Sequence, residues 1–154
     1  MIYRGNKLKE IIFPLGGIGT GSIGLAGNGA LVDWEIFNHP NKGSLNDYSC
    51  FAIKAEYPDG KSVTKILQGD HIKDLVGQYS KSTFTGYGFG PNRGSLCGFP
   101  HFKKVTFDGK FPIVTLTFED DHFPAKVVLK AFNPFIPLDA DNSSIGIGFG
   151  ICIL

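Results

Sequence analysis

Residues 15–29 read LGGIGTGSIGLAGNG, and this glycine-rich run is compatible with two very different folds. Its central part, Gly19 to Gly24, matches G-x-G-x-x-G, the pyrophosphate-binding fingerprint of dinucleotide-binding folds. That fingerprint needs a helix that begins at the third glycine. Gly27 and Gly29 follow closely, and each glycine costs a helix about 1 kcal/mol relative to alanine. The run therefore predicts strands that bend sharply or approach another backbone closely, and it argues against a nucleotide site.

Most of the remaining chain alternates between apolar runs and turn residues. Residues 113–119 show this best, because apolar and polar side chains take turns as in a half-buried strand. Asp-Gly pairs at 59–60 and 108–109 lie between successive runs, which is a hairpin signal. Only residues 70–79 have a pattern compatible with a short helix. The sequence predicts an all-β fold, an antiparallel β-sandwich, with strands over 30–37, 50–57, 62–67, 101–107, 113–119 and 125–132.

Charge and cysteine usage exclude several classes of protein. The 154 residues carry a net charge of +1, without the Lys/Arg cluster of a nucleic-acid-binding protein. Cys50, Cys97 and Cys152 lack C-x-x-C spacing and are expected to be free thiols. The N-terminus has no apolar leader, and the longest uncharged run, 142–154, is too short to span a membrane. We therefore expect a cytoplasmic protein without a transmembrane segment or a nucleic-acid partner.

Four stretches, in order, resemble the N-terminal domain of glycoside hydrolase family 116. This family includes the non-lysosomal (bile-acid) glucosylceramidases and related bacterial β-glucosidases. The stretches are PLGGIGTG (14–21), NGALVDWEIFN (28–38), GYGFGPNRGSLCGFPHF (86–102) and NPFIPLDADNSS (133–144). The resemblance implies a β-sandwich that packs against a separate C-terminal (α/α)₆ barrel, which carries the catalytic nucleophile and the acid/base carboxylate.

The resemblance also sets expectations about the extent of the domain. Residues 1–154 are expected to form a single domain, the N-terminal part of the sandwich, without the catalytic barrel. The last residues, IGIGFGICIL (145–154), depart from the family pattern. We therefore expect an incomplete sandwich that is inactive alone.

Two groups of carboxylates are candidates for a catalytic pair. A retaining glycosidase uses two carboxyl groups about 5–5.5 Å apart, one of them with a raised pKa. Asp33 and Glu35 are two residues apart on a predicted strand, so they share a face. We interpret this pair as a rim or inter-domain contact and Glu119–Asp121 as a solvated turn. No catalytic residue is expected in the chain.

Metal and cofactor sites are not predicted either. DADNSS (139–144) begins like a calcium loop but lacks its glycine at position 6 and its glutamate at position 12, so side chains that hydrogen-bond the turn are expected. None of the four histidines has an i,i+4 partner or an H-E-x-x-H context. They are His39, His71, His101 and His122.

The remaining candidates are aromatic and polar residues near the resembling stretches. Aromatic rings stack on sugar faces, and arginine donates bidentate hydrogen bonds. Trp34, Glu35, Tyr87 and Arg93 are therefore candidates for substrate access or a domain interface. For Trp34 and Phe89 the sequence favours the simpler role of filling the core.

The resulting functional prediction is a non-catalytic β-sandwich domain that braces the catalytic barrel and shapes the approach of a β-glucoside. The resemblance implies that the parent enzyme hydrolyses this substrate with retention of configuration. The alternative is a carbohydrate-binding β-sandwich module that presents an aromatic platform.

Overall fold

The computed structural model describes residues 1–36, 39–46, 48–70, 96 and 98–144, and the backbone of 148–153. Strands dominate these residues, together with a 3-10 helix (Gly5–Glu10) and a single-turn helix α1 (Ala140–Ser143). The strands are β1 (Ile2–Arg4), β2 (Ile12–Leu15), β3 (Gly21–Ala26), β4 (Leu31–Ile36), β5 (Ala52–Glu56), β6 (Ser62–Ile66), β7 (Lys104–Asp108), β8 (Ile113–Glu119), β9 (Val127–Phe132) and β10 (Gly148–Ile153).

The strands form three antiparallel sheets around one core. The largest sheet has the order β1-β7-β8-β9-β10, the second has the order β2-β3-β4, and β5 pairs with β6. The inner face of the large sheet packs with side chains from both smaller sheets. This arrangement confirms the prediction of an all-β, antiparallel, sandwich-like fold. The central core side chains include Phe13, Leu25, Leu67, Phe107, Leu116, Phe118 and Leu129.

The predicted hairpins are present at the expected positions. Tyr57 N–H donates to the Lys61 carbonyl at 2.8 Å, which closes the β5–β6 turn. The pairing of β7 with β8 runs from Lys104 opposite Glu119 to Asp108 opposite Thr115. The predicted strand bounds agree to within three residues, the largest difference being the start of β7. The stretch compatible with a short helix, 70–79, lies outside the described residues from position 71 onwards.

The glycine-rich run forms strands, as predicted, and no helix begins at Gly24. Strand β3 passes straight through this residue, so the dinucleotide-binding geometry is not formed. A side chain at Gly27 would collide with the Leu8 carbonyl oxygen. Gly29 has a φ of +94°, and a Cβ there would collide with the Leu67 carbonyl oxygen. These two glycines therefore allow the β2–β3–β4 sheet to approach its neighbours at backbone distance.

Candidate functional site

An open cleft of about 270 Å³ lies on the outer face of the β2–β3–β4 sheet. Strand alternation creates it, because Phe13 and Leu25 point into the core while their neighbours Ile12, Pro14 and Gly24 line the cleft on the other face. The cleft is lined by Ile12, Pro14, Ser22, Gly24, Asp33, Glu35 and Lys42.

The backbone around the cleft is irregular. The pairing of β3 with β4 shifts register between Ser22 and Gly24, and Asp33 adopts a φ of +50°. A Cβ on Gly24 would lie 2.7 Å from Ile12 Cγ2. Bulges of this kind turn a side chain away from its regular strand direction, and here the carboxylate Asp33 lies within the irregularity, between the paired residues Val32 and Glu35.

A single lysine joins the two carboxylates of the cleft. Lys42 Nζ lies 2.7 Å from Glu35 Oε2 and 3.5 Å from Asp33 Oδ2. The other carboxylate oxygens accept hydrogen bonds from the same loop: Asp33 Oδ1 from Gly43 N–H at 2.7 Å and Glu35 Oε1 from Asn41 N–H at 3.3 Å. The carboxylates therefore fasten the loop of residues 39–46 to β4.

The ionisation of the cleft follows from these contacts. The hydrogen bond from Lys42 lowers the pKa of Glu35, against a smaller opposing effect of desolvation. The same hydrogen bond raises the pKa of Lys42. Both groups are therefore charged at neutral pH. The catalytic acid of a glycosidase needs a carboxyl group whose pKa is raised, whereas the pKa of Glu35 is lowered.

Trp34 lies between the two carboxylates in sequence but does not line the cleft. Its side chain is half-buried, and its Nε1–H donates to the Leu31 carbonyl at 3.3 Å. Its backbone N–H donates to Ser44 Oγ at 2.7 Å. Trp34 also lies outside the buried core cluster, so the core-filling interpretation of this residue is not supported.

The structure thus brings one predicted site residue, Glu35, into a defined cleft and places Trp34 beside it. Tyr87, Phe89 and Arg93 lie outside the described residues, so their prediction stays a prediction. Sequence reasoning missed Lys42. The available signal was a lysine in the short loop that follows a strand with two carboxylates on one face.

One sequence interpretation is wrong. Asp120 is not part of a solvated turn, because only 5% of its side chain is exposed and it pairs with Lys65 at 2.9 Å. Its carboxylate also accepts hydrogen bonds from the N–H groups of Lys103 at 3.0 Å and His122 at 2.8 Å. Its flanking residues Glu119 and Asp121 are exposed, as expected.

The pKa of Asp120 reflects this environment. Desolvation raises it, but the hydrogen bonds from Lys65, His122 and Lys103 prevail and lower the pKa to about 2. Lys65 Nζ also donates to the His101 carbonyl at 2.8 Å. The Lys65–Asp120 pair therefore connects β6 with the β8–β9 turn and serves structure.

Residues 139–144, which begin like a calcium loop in sequence, form a hydrogen-bonded turn, as predicted. Asp139 Oδ1 accepts from Asn142 N–H at 3.0 Å and Oδ2 accepts from Asn142 Nδ2 at 2.7 Å, which caps α1. Within the part of the chain that the structure describes, no group of three or more His, Cys, Asp or Glu residues is placed to hold a metal ion. Over the same residues no helix has the length and apolar character needed to cross a membrane.

Fold and cleft together define an antiparallel β-sandwich domain whose cleft carboxylates are locked in ion pairs. Comparison with known sequence families identifies the family within this class. The family described as beta-glucosidase 2, glycosyl-hydrolase family 116 N-term, matches residues 13–149, and the chain belongs to this family of N-terminal domains. The family implies a glycoside hydrolase parent and a catalytic partner domain. No curated protein sequence shows significant similarity to the chain.

Proposed function

We propose that this chain is a non-catalytic N-terminal β-sandwich domain that braces the catalytic barrel of its parent glycosidase and shapes substrate access. The parent reaction is the hydrolysis of a β-glucoside with retention of configuration. The family supports the glycoside hydrolase parent. The specificity for β-glucosides, the barrel and the bracing role are inferred from the resemblance of the chain to family 116 enzymes.

The ion pairing of the cleft carboxylates supports the non-catalytic role most directly. Glu35 and Asp33 both contact Lys42 Nζ, and that contact lowers the pKa of Glu35. A proton donor for glycoside cleavage requires the reverse shift. The pair therefore supports a role in holding the loop of residues 39–46, which in the parent enzyme faces either the barrel or the approaching sugar.

The proposed function gives each site residue a role. Glu35 with Lys42 forms a charged rim, and Trp34 stabilises the adjacent strand and loop through hydrogen bonds to Leu31 and Ser44. For Tyr87 and Arg93 a contribution to substrate access or to a domain interface remains a prediction from the family-like stretch in which they lie. The cytoplasmic location also remains a prediction from the sequence.

The test compares substitutions in the parent enzyme. We expect Glu35→Gln to leave kcat within about threefold while KM for a β-glucoside rises, because access changes and chemistry does not. Loss of a catalytic carboxylate instead lowers kcat by several powers of ten. Glu56→Gln is the matched control, since Glu56 is an exposed glutamate on β5 paired only with Lys54 in the described contacts. A collapse of kcat in Glu35→Gln, or hydrolysis by the isolated chain, contradicts the proposal.

The carbohydrate-binding alternative makes a separate prediction for the single tryptophan. Trp34 already donates its indole N–H to Leu31, so it offers a sugar no free donor. We expect its fluorescence to be unchanged by millimolar β-glucoside. Saturable quenching that is lost in Trp34→Phe would instead favour the binding module.

A further inference from the structure

Exposed apolar side chains are concentrated at one end of the molecule. Twelve large hydrophobic residues are exposed among the described residues. Nine of them belong to the chain start, the β7–β8 turn with the first residue of β8, the last residue of β9 with the stretch that follows it, and Ile18, which is hydrogen-bonded to that stretch. We call this surface the apolar end. It comprises Met1, Ile2, Ile18, Phe111, Ile113, Phe132, Phe135, Ile136 and Leu138.

Contacts in the structure show that these segments are adjacent. The rings of Phe111 and Phe135 meet edge to face at 6.3 Å, and Ile113 is the register partner of Phe132. The Met1 carbonyl accepts a hydrogen bond from Gly109 N–H at 2.9 Å, which brings the chain start to the same turn.

Two hydrogen bonds attach the glycine-rich run to this surface. Asn133 Nδ2 donates to the Pro14 carbonyl at 2.9 Å, and Ile18 N–H donates to the Ser143 carbonyl at 3.1 Å. Gly17 permits the second contact, because a Cβ there would lie 2.5 Å from the Ser143 carbonyl oxygen. Ile18 is therefore continuous with the residues that follow β9.

Leu138 is the most prominent residue of the apolar end. It is fully exposed and adopts a φ of +66°, a conformation that costs a leucine about 1–2 kcal/mol. The turn that carries it is held firmly: Ile136 pairs with Asp139, and the buried Ser143 hydroxyl accepts from Ile136 N–H at 2.7 Å. A rigid turn thus presents a large apolar side chain to the surroundings in an unfavourable backbone conformation. Such strain is retained where it serves an interaction.

The size and charge of the surface indicate the kind of partner. Nine large side chains, from about half exposed to fully exposed, present on the order of 900 Å², close to the roughly 800 Å² that each partner contributes to a standard interface. Few charged groups lie at this end: Asp108 pairs with Lys110 at 3.2 Å and with the Met1 ammonium at 3.5 Å, and Asp139 and Asp141 follow Leu138 in the sequence. A predominantly apolar protein surface is therefore the complementary partner.

We propose that the apolar end is the surface that docks on the catalytic domain of the parent glycosidase. This inference rests on the proposed function. The chain belongs to a family of N-terminal domains, so the partner surface is carried by the same polypeptide and is present at high effective concentration. An interface of this size is typical of domains within one chain.

The experiment uses the strain at Leu138 to separate docking from folding. Asparagine tolerates a positive φ better than leucine, so Leu138→Asn is expected to raise the melting temperature of this chain alone by about 2 °C. In the parent enzyme the same substitution removes an interface side chain. There we expect the calorimetric transition of the N-terminal domain to shift downwards and inter-domain proteolysis to accelerate several-fold.

Phe111→Ser provides a second disruptive variant, and Tyr57→Ser is the matched control. Tyr57 is 39% exposed and lies in the β5–β6 turn, outside the apolar end. We expect Phe111→Ser to act like Leu138→Asn in the parent enzyme, and Tyr57→Ser to change neither transition nor proteolysis.

Three outcomes overturn the inference. The first is an equal response of the parent enzyme to Leu138→Asn, Phe111→Ser and Tyr57→Ser. The second is that Leu138→Asn shifts melting in the same direction in both proteins. The third is a dimer of this chain in sedimentation analysis that Phe111→Ser dissociates while the parent enzyme is unaffected, which would identify a second copy as the occupant. If removal of the whole domain leaves the parent enzyme unchanged, the bracing function itself fails, which distinguishes the two proposals.

Discussion

Two lysine–carboxylate sites of this domain contain the same chemical groups but differ in their exposure to water and in the parts of the chain that they connect. At the cleft, Lys42 is 61% exposed and contacts Asp33 and Glu35. In the interior, Lys65 and Asp120 have only 11% and 5% of their side chains exposed. Water screens the first site and not the second. The interior pair therefore fixes the position of two β-hairpins, whereas the cleft pair holds one surface loop.

The surroundings of the interior pair explain how the domain tolerates it. A buried charge is destabilising unless it is paired and its remaining hydrogen-bonding capacity is used. Asp120 accepts from two backbone N–H groups, and Lys65 donates to the His101 carbonyl and lies 5.6 Å above the Phe102 ring. Both charges are thus satisfied by several groups.

The largest effect is expected for Lys65→Met. It removes the cation and leaves the Asp120 carboxylate buried, which we expect to lower the free energy of unfolding by about 3–5 kcal/mol. Urea denaturation measures this change. The matched control is Lys54→Met, because Lys54 and Glu56 are 54% and 70% exposed; it is expected to change stability by less than about 0.5 kcal/mol. Equal effects of the two substitutions would show that burial does not distinguish these pairs.

The pH dependence of stability tests the same site with no change in packing. The pKa of Asp120 falls from 3.8 in the unfolded chain to about 2 in the fold, so its contribution is fully present above pH 3.8. It is lost as pH falls from 3.8 through about 2, and its size is about 2 kcal/mol. Denaturation curves recorded from pH 6 to 2 measure the loss. In Asp120→Asn the same pH range should show a correspondingly smaller decrease, and an unchanged decrease contradicts the assignment.

The strand pattern was predictable from the sequence, because it depends on neighbouring residues. Period-two alternation and Asp-Gly turns located β4 to β9, and the glycine run was correctly interpreted as bent strand. Strands β1 and β2 were missed. β1 has three residues, and β2 contains Pro14, which is tolerated only because β2 lies at the edge of its sheet.

The sequence indicates the carboxylates of the cleft site but not the lysine partner at either site, because those partners are placed by a loop or come from a distant part of the chain. Period-two alternation predicts that Asp33 and Glu35 share a face, and both do line the cleft, but the register shift at Asp33 and the loop that places Lys42 are not visible in the strand pattern. Asp120 looked solvated because it lies between two exposed acidic residues, and its partner is distant in sequence. One local signal existed: Lys65 occupies the same inward face of β6 as Val63, and an inward lysine requires a buried acceptor.

A smaller effect is expected when the cleft pair is broken. Lys42→Met is predicted to lower the free energy of unfolding by about 1 kcal/mol. The lysine itself is 61% exposed and its pairs are screened by water, although Asp33 and Glu35 are only 12% and 23% exposed. It should nevertheless raise the pKa of Glu35, since the hydrogen bond from Lys42 is the largest cause of its lowered value. Titration of the Glu35 carboxyl by NMR measures this shift, with Lys61→Met as the control at a separate exposed pair. A Glu35 pKa that does not move would remove the electrostatic basis of the cleft assignment.

The smallest effect is expected from a change in ionic strength, to which the pKa values at the two sites should respond differently. Salt screens exposed charges and has little effect on buried ones, so 1 M NaCl should reduce the NMR-measured pKa shift of Glu35 towards its ordinary value. The low pKa of Asp120 should be nearly unchanged in the same sample, because its partners lie within the protein. Both carboxyl groups report in one experiment, so differences in folding or concentration cancel. If salt moved Asp120 as much as Glu35, water would have access to the interior pair, and the contrast between the two sites would be one of position rather than of environment.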